Sequence, residues 1–252
     1  MTSAAVALLV VVCLMGGALL GLALQSVLPQ HHLDSASKDV VRLASGVTAS
    51  VAALVLGLLI AAANGSFNTQ SQEVETAAAR IIQLDNTLAL YGPETGRARG
   101  LLRDVVDNAV AQIWHEDLPP TGEKPVYRFG GTGNSLLRAL HELAPADEAQ
   151  HTLKTQALAV AGELMQTRLL LFEQASNALP VPLLVMLVGW LTAIFASFGL
   201  FAPRNATVIA ALLVAALADA AAVFLMYELN SPFSGLLQVS SAPLRSALAP
   251  LG

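Results

Sequence analysis

Charge is what this sequence has least of. Lys, Arg, Asp and Glu together make up 12% of its 252 residues, where soluble domains run to about a quarter. A chain that is 55% hydrophobic, with a mean hydropathy of +0.62, has too little polar surface to cover itself in water. Its apolar residues are gathered into long runs, which is the pattern of a membrane protein and not of a greasy core. Basic residues are scarcer than acidic ones, at a net charge of −5, so no basic patch exists to hold nucleic acid or an anionic bilayer surface. The single cysteine, Cys13, lies inside the first apolar run. It can form no internal disulfide and makes a poor metal site, so it counts as a small hydrophobe. Strand-like alternation and internal repeats are missing too. Paired carboxylates, metal-ligand spacing and an activated nucleophile are equally absent, so no catalytic residue, metal or cofactor is expected.

What is present is four apolar runs. The first covers about residues 4–24 and carries no charge. As a cleavable signal it would lack a basic leading region and a small-x-small site before Pro29, and it is too long, so it is expected to be retained. The second covers about 43–63, the third 182–202 and the fourth 205–227. Pro203-Arg204-Asn205 leaves room only for a tight turn, so the last two runs form an antiparallel hairpin. An even number of crossings puts both termini and the central region on one side of the lipid bilayer. Ten basic residues fall in the central region and tail, against Lys38, Arg42 and Arg204 in the two opposite loops. That imbalance predicts a cytoplasmic central domain. The expected organisation is residues 1–64 for two spans, 65–180 for a helical cytosolic domain, 181–228 for the hairpin and 229–252 for a cytosolic tail.

The central region reads as helical throughout. Val74, Ala77, Ala78, Ile81, Ile82, Leu84 and Leu88 recur at helical spacing and continue the second span. Tyr91-Gly92-Pro93-Glu94 breaks that helix: Gly92 suits the left-handed position after a helix, Pro93 the first turn of the next, and Glu94 its positive dipole end. A helix to about Trp114 follows, then a loop rich in Pro and Gly up to Gly133. Asn134 or Ser135 is expected to cap a short helix, and an amphipathic helix from about Asp147 to Ala178 feeds the third span.

Most potential chemistry has a bland explanation. The glycines from Gly130 to Gly133 lack the preceding strand and following Lys-Ser or Lys-Thr of a phosphate loop. His31-His32 are adjacent, so a helix would point them apart. With Asp34 and Asp39 they fit a plain exposed loop better than a metal or pH-sensing site. His115-Glu116-Asp117 ends a helix, and His141 and His151 have no nucleophile to serve. Asp219 lies well inside the fourth span, where an ionisable group usually faces a bundle interior or water. Glu228, at the span's edge, is expected to be solvated. The second span carries a stripe, Ser50, Ala53, Gly57, Ala61, Asn64, Asn68 and Gln72, at three- and four-residue steps. Small and amide groups on one face suit either a close helix contact or a pore lining. Phe67 in the same turn could add an apolar constriction. The pore or gate candidates are therefore Ser50, Gly57, Asn64, Phe67 and Asn68.

Ala62-Ala63-Asn64-Gly65-Ser66-Phe67-Asn68, Leu84-Asp85 and Tyr91-Gly92-Pro93-Glu94 resemble, in order, a family of bacterial membrane proteins described as bestrophin-like. So do Phe201-Ala202-Pro203-Arg204-Asn205 and Glu228-Leu229-Asn230-Ser231-Pro232-Phe233-Ser234-Gly235. Asn230 departs from the family pattern, which usually has Asp there. More distantly, the order of elements is similar to that of bestrophin anion channels, with four spans and a cytosolic helical domain between the second and third. The resemblance implies an all-α, four-span fold in the bacterial inner membrane, self-association (as pentamers in bestrophins), and inorganic ions as permeants, with anions favoured. The expected function is an oligomeric ion channel or pore, with Pro232-Phe233-Ser234-Gly235 locking the tail onto the cytosolic helices. The alternative is a non-conducting membrane scaffold or sensor whose cytosolic helices bind other proteins.

Overall fold

The computed structural model describes residues 2–29, 34–114, 132–176, 181–233 and 235–248. Every regular element among them is helical. In chain order they are α1 (Ser3–Leu24), α2 (Ser35–Tyr91), α3 (Gly96–Ile113), α4 (Thr132–Glu142), α5 (Glu148–Ser176), α6 (Val181–Phe201), α7 (Ala206–Leu229) and α8 (Ala242–Leu248), with a 3-10 turn at Pro93–Thr95 ahead of α3. The chain divides into two compact units, the first made of Met1–Ser66 and Ala178–Ser231, the second of Phe67–Asn177 and Pro232–Gly252.

The first unit contains four helices long and apolar enough to cross a membrane, α1, α6, α7 and the leading part of α2. They coincide with the four apolar runs. Helices satisfy their own backbone hydrogen bonds, which is what the interior of a bilayer demands. α1 and α6 run parallel, since Gly17 lies against Thr192 and Gly21 against Ala196. α7 runs antiparallel to α1. At one end the Ser3 hydroxyl donates to the Glu228 carboxylate, and at the other Arg204 donates to the Leu22 carbonyl at 2.6 Å. Ser45, early in α2, shares a 2.8 Å hydrogen bond with Ser197, late in α6. The starts of α1 and α6 and the end of α7 therefore share one end of this unit. The core between these helices includes Val10, Leu14, Leu187, Ala216, Val223 and Met226.

In the second unit, α3 turns Leu102, Val105, Val110 and Ile113 inward, and it packs against α4, α5 and α8. α2 contributes Val74, Ile81, Leu84 and Leu88 to the same core. Of its expected apolar stripe only Ile82 is turned outward. α4 starts at Thr132, ahead of the expected cap at Asn134 or Ser135. Asp147 caps α5, its Oδ1 accepting the Gln150 N–H at 2.7 Å. His31-His32, His115-Glu116-Asp117, Ser234 and the loop from Leu118 to Gly131 lie outside the described residues.

Candidate functional site

The stripe on α2 can be placed by the helix's own geometry, at about 100° per residue. Ala52 and Ala63 are buried in the core of the first unit and mark the packed side. Ser50, Ala53, Gly57, Ala61 and Asn64 are all exposed, and they lie about 100° to 180° round the helix from Ala52. Leu43, Val47, Leu54 and Leu58 are exposed as well, and they continue the arc from about 180° to 240°. The uncovered side of α2 is thus divided into a small-and-amide strip and a large aliphatic strip. Large aliphatic side chains suit lipid; small residues and a primary amide do not need it. A Cβ added at Gly46, Gly57 or Gly65 would meet nothing within 4 Å. Ser50 satisfies its hydroxyl locally by donating to Gly46 O at 3.0 Å. The Asn64 amide makes no hydrogen bond to another described residue.

In the second unit Asn68 and Gln72 are exposed, whereas Phe67 is half-buried and packs against that unit's core. One residue along a helix is a rotation of about 100°, which separates the Phe67 ring from the Asn68 amide. Asp219 sits on α7, half-buried, without a hydrogen bond or ion pair to another described residue. The buried residues beside it on α7 are Ala216, Ala220 and Val223, which form the packed side of that helix.

Glu228 corrects an expectation. It is 1% exposed, not solvated, and accepts the hydrogen bond from Ser3 in the first turn of α1. The start of a helix favours an anion, and the antiparallel pairing of α7 with α1 delivers the carboxylate there. Asp34, considered beside His31-His32, caps α2: its Oδ1 accepts the Ser37 N–H at 2.8 Å. His141 and His151 are exposed, and the described residues hold no cluster of metal-ligating side chains.

The motif positions are mostly structural. Asn205 caps α7, accepting the Val208 N–H at 2.8 Å, and Arg204 ties the Pro203 turn to the end of α1. Phe233 is buried edge-on against Trp114, with ring centroids 5.1 Å apart, and the Trp114 Nε1–H donates to Val239 O at 2.7 Å. Gly235, two residues on, has φ 106°. Asp85 is nearly buried and holds Arg99 through Nε at 2.5 Å and Nη2 at 3.1 Å. Gly92 has φ 135° and ψ −177°, an extended mirror-image conformation open essentially to glycine alone and not the left-handed helical one expected. Pro93 opens a 3-10 turn, and the buried Thr95 hydroxyl sits near Leu88 O at 2.7 Å and Gly92 O at 2.8 Å, closing the break. Burial, and then the negative charges of Glu94 and Asp147, hold the Tyr91 phenol above the usual tyrosine range.

Two glycines were not among the candidates although a signal marks them. Gly17 and Gly21 stand four apart in an apolar run, the spacing of close helix pairs. A Cβ at Gly21 would stand 2.0 Å from Ala196 O, and one at Gly199 2.0 Å from Ala18 O. The α1 and α6 backbones touch there, and no other residue fits.

The Bestrophin-like domain matches residues 12–244, nearly the whole chain. No curated protein matches it, and no solved structure does.

Proposed function

This chain belongs to the bestrophin-like family, and we propose from that premise that it assembles as an oligomeric ion channel or pore in the bacterial inner membrane. Copies of α2 surround the conduit, with Ser50, Gly57, Asn64 and Asn68 toward it, and the second unit and both termini are cytoplasmic. The observation that carries this reading is the strip of small and amide groups left uncovered on α2, beside an aliphatic strip suited to lipid. Small residues let several copies of one helix approach closely, and unpaired amides suit a wet path. The resemblance favours five copies and anions as permeants. Asp219 would support helix packing or tune the field.

The test is ion flux through purified protein in liposomes under chloride and potassium gradients. Flux with a preference for one ion is expected. Cysteines placed at Asn64 and Asn68, with Cys13 replaced, should react with water-soluble thiol reagents. Absence of flux from folded, inserted protein, together with protection at both sites, overturns the conduit and leaves the scaffold reading. Phe67→Ala separates two roles for that ring: raised flux at unchanged stability marks a gate, while lowered stability at unchanged flux per folded protein marks a packing residue.

A further inference from the structure

Leu236 is 81% exposed, more than any other large apolar side chain among the described residues, and Leu237 beside it is 42% exposed. The backbone that presents them is held at its base. Phe233 is buried edge-on against Trp114, and the Trp114 Nε1–H donates to Val239 O at 2.7 Å. The Val239 N–H donates in turn to Pro232 O, also at 2.7 Å. Nearer the tip, the Gln238 side-chain amide donates to Gly235 O at 2.8 Å, and Gly235 turns the chain at φ 106°, a conformation that favours glycine. The two leucines are thus displayed from a fixed base on the outside of the second unit. No charged residue stands between Glu228 and Arg245. Exposed apolar tips of this kind mark interaction sites.

We propose that Leu236 and Leu237 insert into the surface of the lipid bilayer that α7 crosses, anchoring the tail at the boundary between headgroups and acyl chains. α7 has 24 residues, about 36 Å of helix, and the hydrocarbon layer is about 30 Å thick. Its end therefore reaches the headgroups. Pro232 follows Leu229 by three residues, a reach of about 11 Å at most. Chain length thus keeps the base of the tip close to the bilayer surface. Leu90, almost as exposed at 76%, has no such tether, since it lies about 40 Å along α2 from Asn64. Apolar side chains gain by leaving water for the bilayer interface, and an uncharged segment loses no ion hydration there. A second protein fits less well, because two leucines offer far less than the roughly 800 Å² per partner of a stable interface. The anchor requires α7 to cross a bilayer, as the proposed channel does, and does not depend on ion conduction.

The experiment is nitroxide spin labelling of the full chain in liposomes, at Leu236→Cys, Leu90→Cys or Val214→Cys, each with Cys13→Ala. Molecular oxygen concentrates in lipid and a water-soluble nickel chelate stays out of it, so collisions with each report the label's surroundings. Leu236 and Val214, the latter exposed within α7, should collide with oxygen and be shielded from nickel. Leu90 should collide with nickel. All three side chains are exposed, so labelling should leave elution profile and helical content unchanged. Nickel access at Leu236 equal to that at Leu90 overturns the anchor, because the tip is then in water. Exclusion of both reagents from Leu236 overturns it as well, because protein then covers the tip. Nickel access at Val214 overturns the spanning of α7 and the anchor together, whereas absence of ion flux would leave both standing.

Discussion

Two helices of the first unit carry small residues at four-residue steps, and the fold treats them in opposite ways. On α1, Gly17 and Gly21 are buried against the α6 backbone so tightly that even a methyl group has no room. On α2, Ala53, Gly57 and Ala61 face outward, and a Cβ at Gly57 meets nothing. The difference extends to the helices as wholes, since 39% of the apolar stretch of α1 is buried within the chain and only 11% of that of α2. Small residues on a spanning helix are worth their lost side-chain packing when another backbone comes close. α1 finds that backbone in its own chain. α2 finds none among the described residues, which leaves its strip as the surface that the proposed assembly would use.

The contrast is broken most severely at its two glycines. Gly21→Leu should cost the first unit about 3 kcal/mol or more, read as loss of a monodisperse peak in detergent and of resistance to protease. Gly57→Leu should leave the chain as resistant to protease as wild type and abolish flux. If Gly57→Leu also unfolds the protein, the α2 strip is covered by its own chain and the contrast fails.

The same opposition of filled and open positions runs into the second unit. Arg99→Met strands the nearly buried Asp85 carboxylate, and thermal melts should show a loss of about 2–3 kcal/mol, discounted because Arg99 is partly exposed. Leu90→Ser, at a side chain 76% exposed on α2, should change stability by less than about 0.5 kcal/mol. A larger loss at Leu90 would mean that another surface normally covers it.

Two smaller effects sharpen the comparison. Gly92→Ala, forced into a conformation alanine avoids, should cost about 1–2 kcal/mol. Gly65→Ala, in open helix, should stabilise by up to about 1 kcal/mol. Both are measurable by chemical denaturation, and equal signs would deny that α2 is open at Gly65. Trp114→Phe removes one hydrogen bond to Val239 O and should lower stability by about 1 kcal/mol.

What could be read without coordinates follows local rules. The four spans, the Pro203 turn, the break at Gly92-Pro93 and the buried Val74, Ile81, Leu84 and Leu88 all come from apolar run length, helical period and turn chemistry. The stripe on α2 was legible as a stripe for the same reason. Its exposure was not, because a residue is covered or bare only relative to helices far away in the chain. Phe67 shows the limit: adjacent to Asn68 in sequence, it packs half-buried against the core of the second unit. Glu228 shows it again, since Ser3 is 225 residues away.

Local patterning was enough for four helices long and apolar enough to cross a membrane and for a helical region between the second and third, because hydropathy and period act within a single helix. Which small-residue stripe is filled and which carboxylate is buried came from the fold alone, because close approach, desolvation and hydrogen-bond satisfaction are properties of pairs of segments brought together by folding.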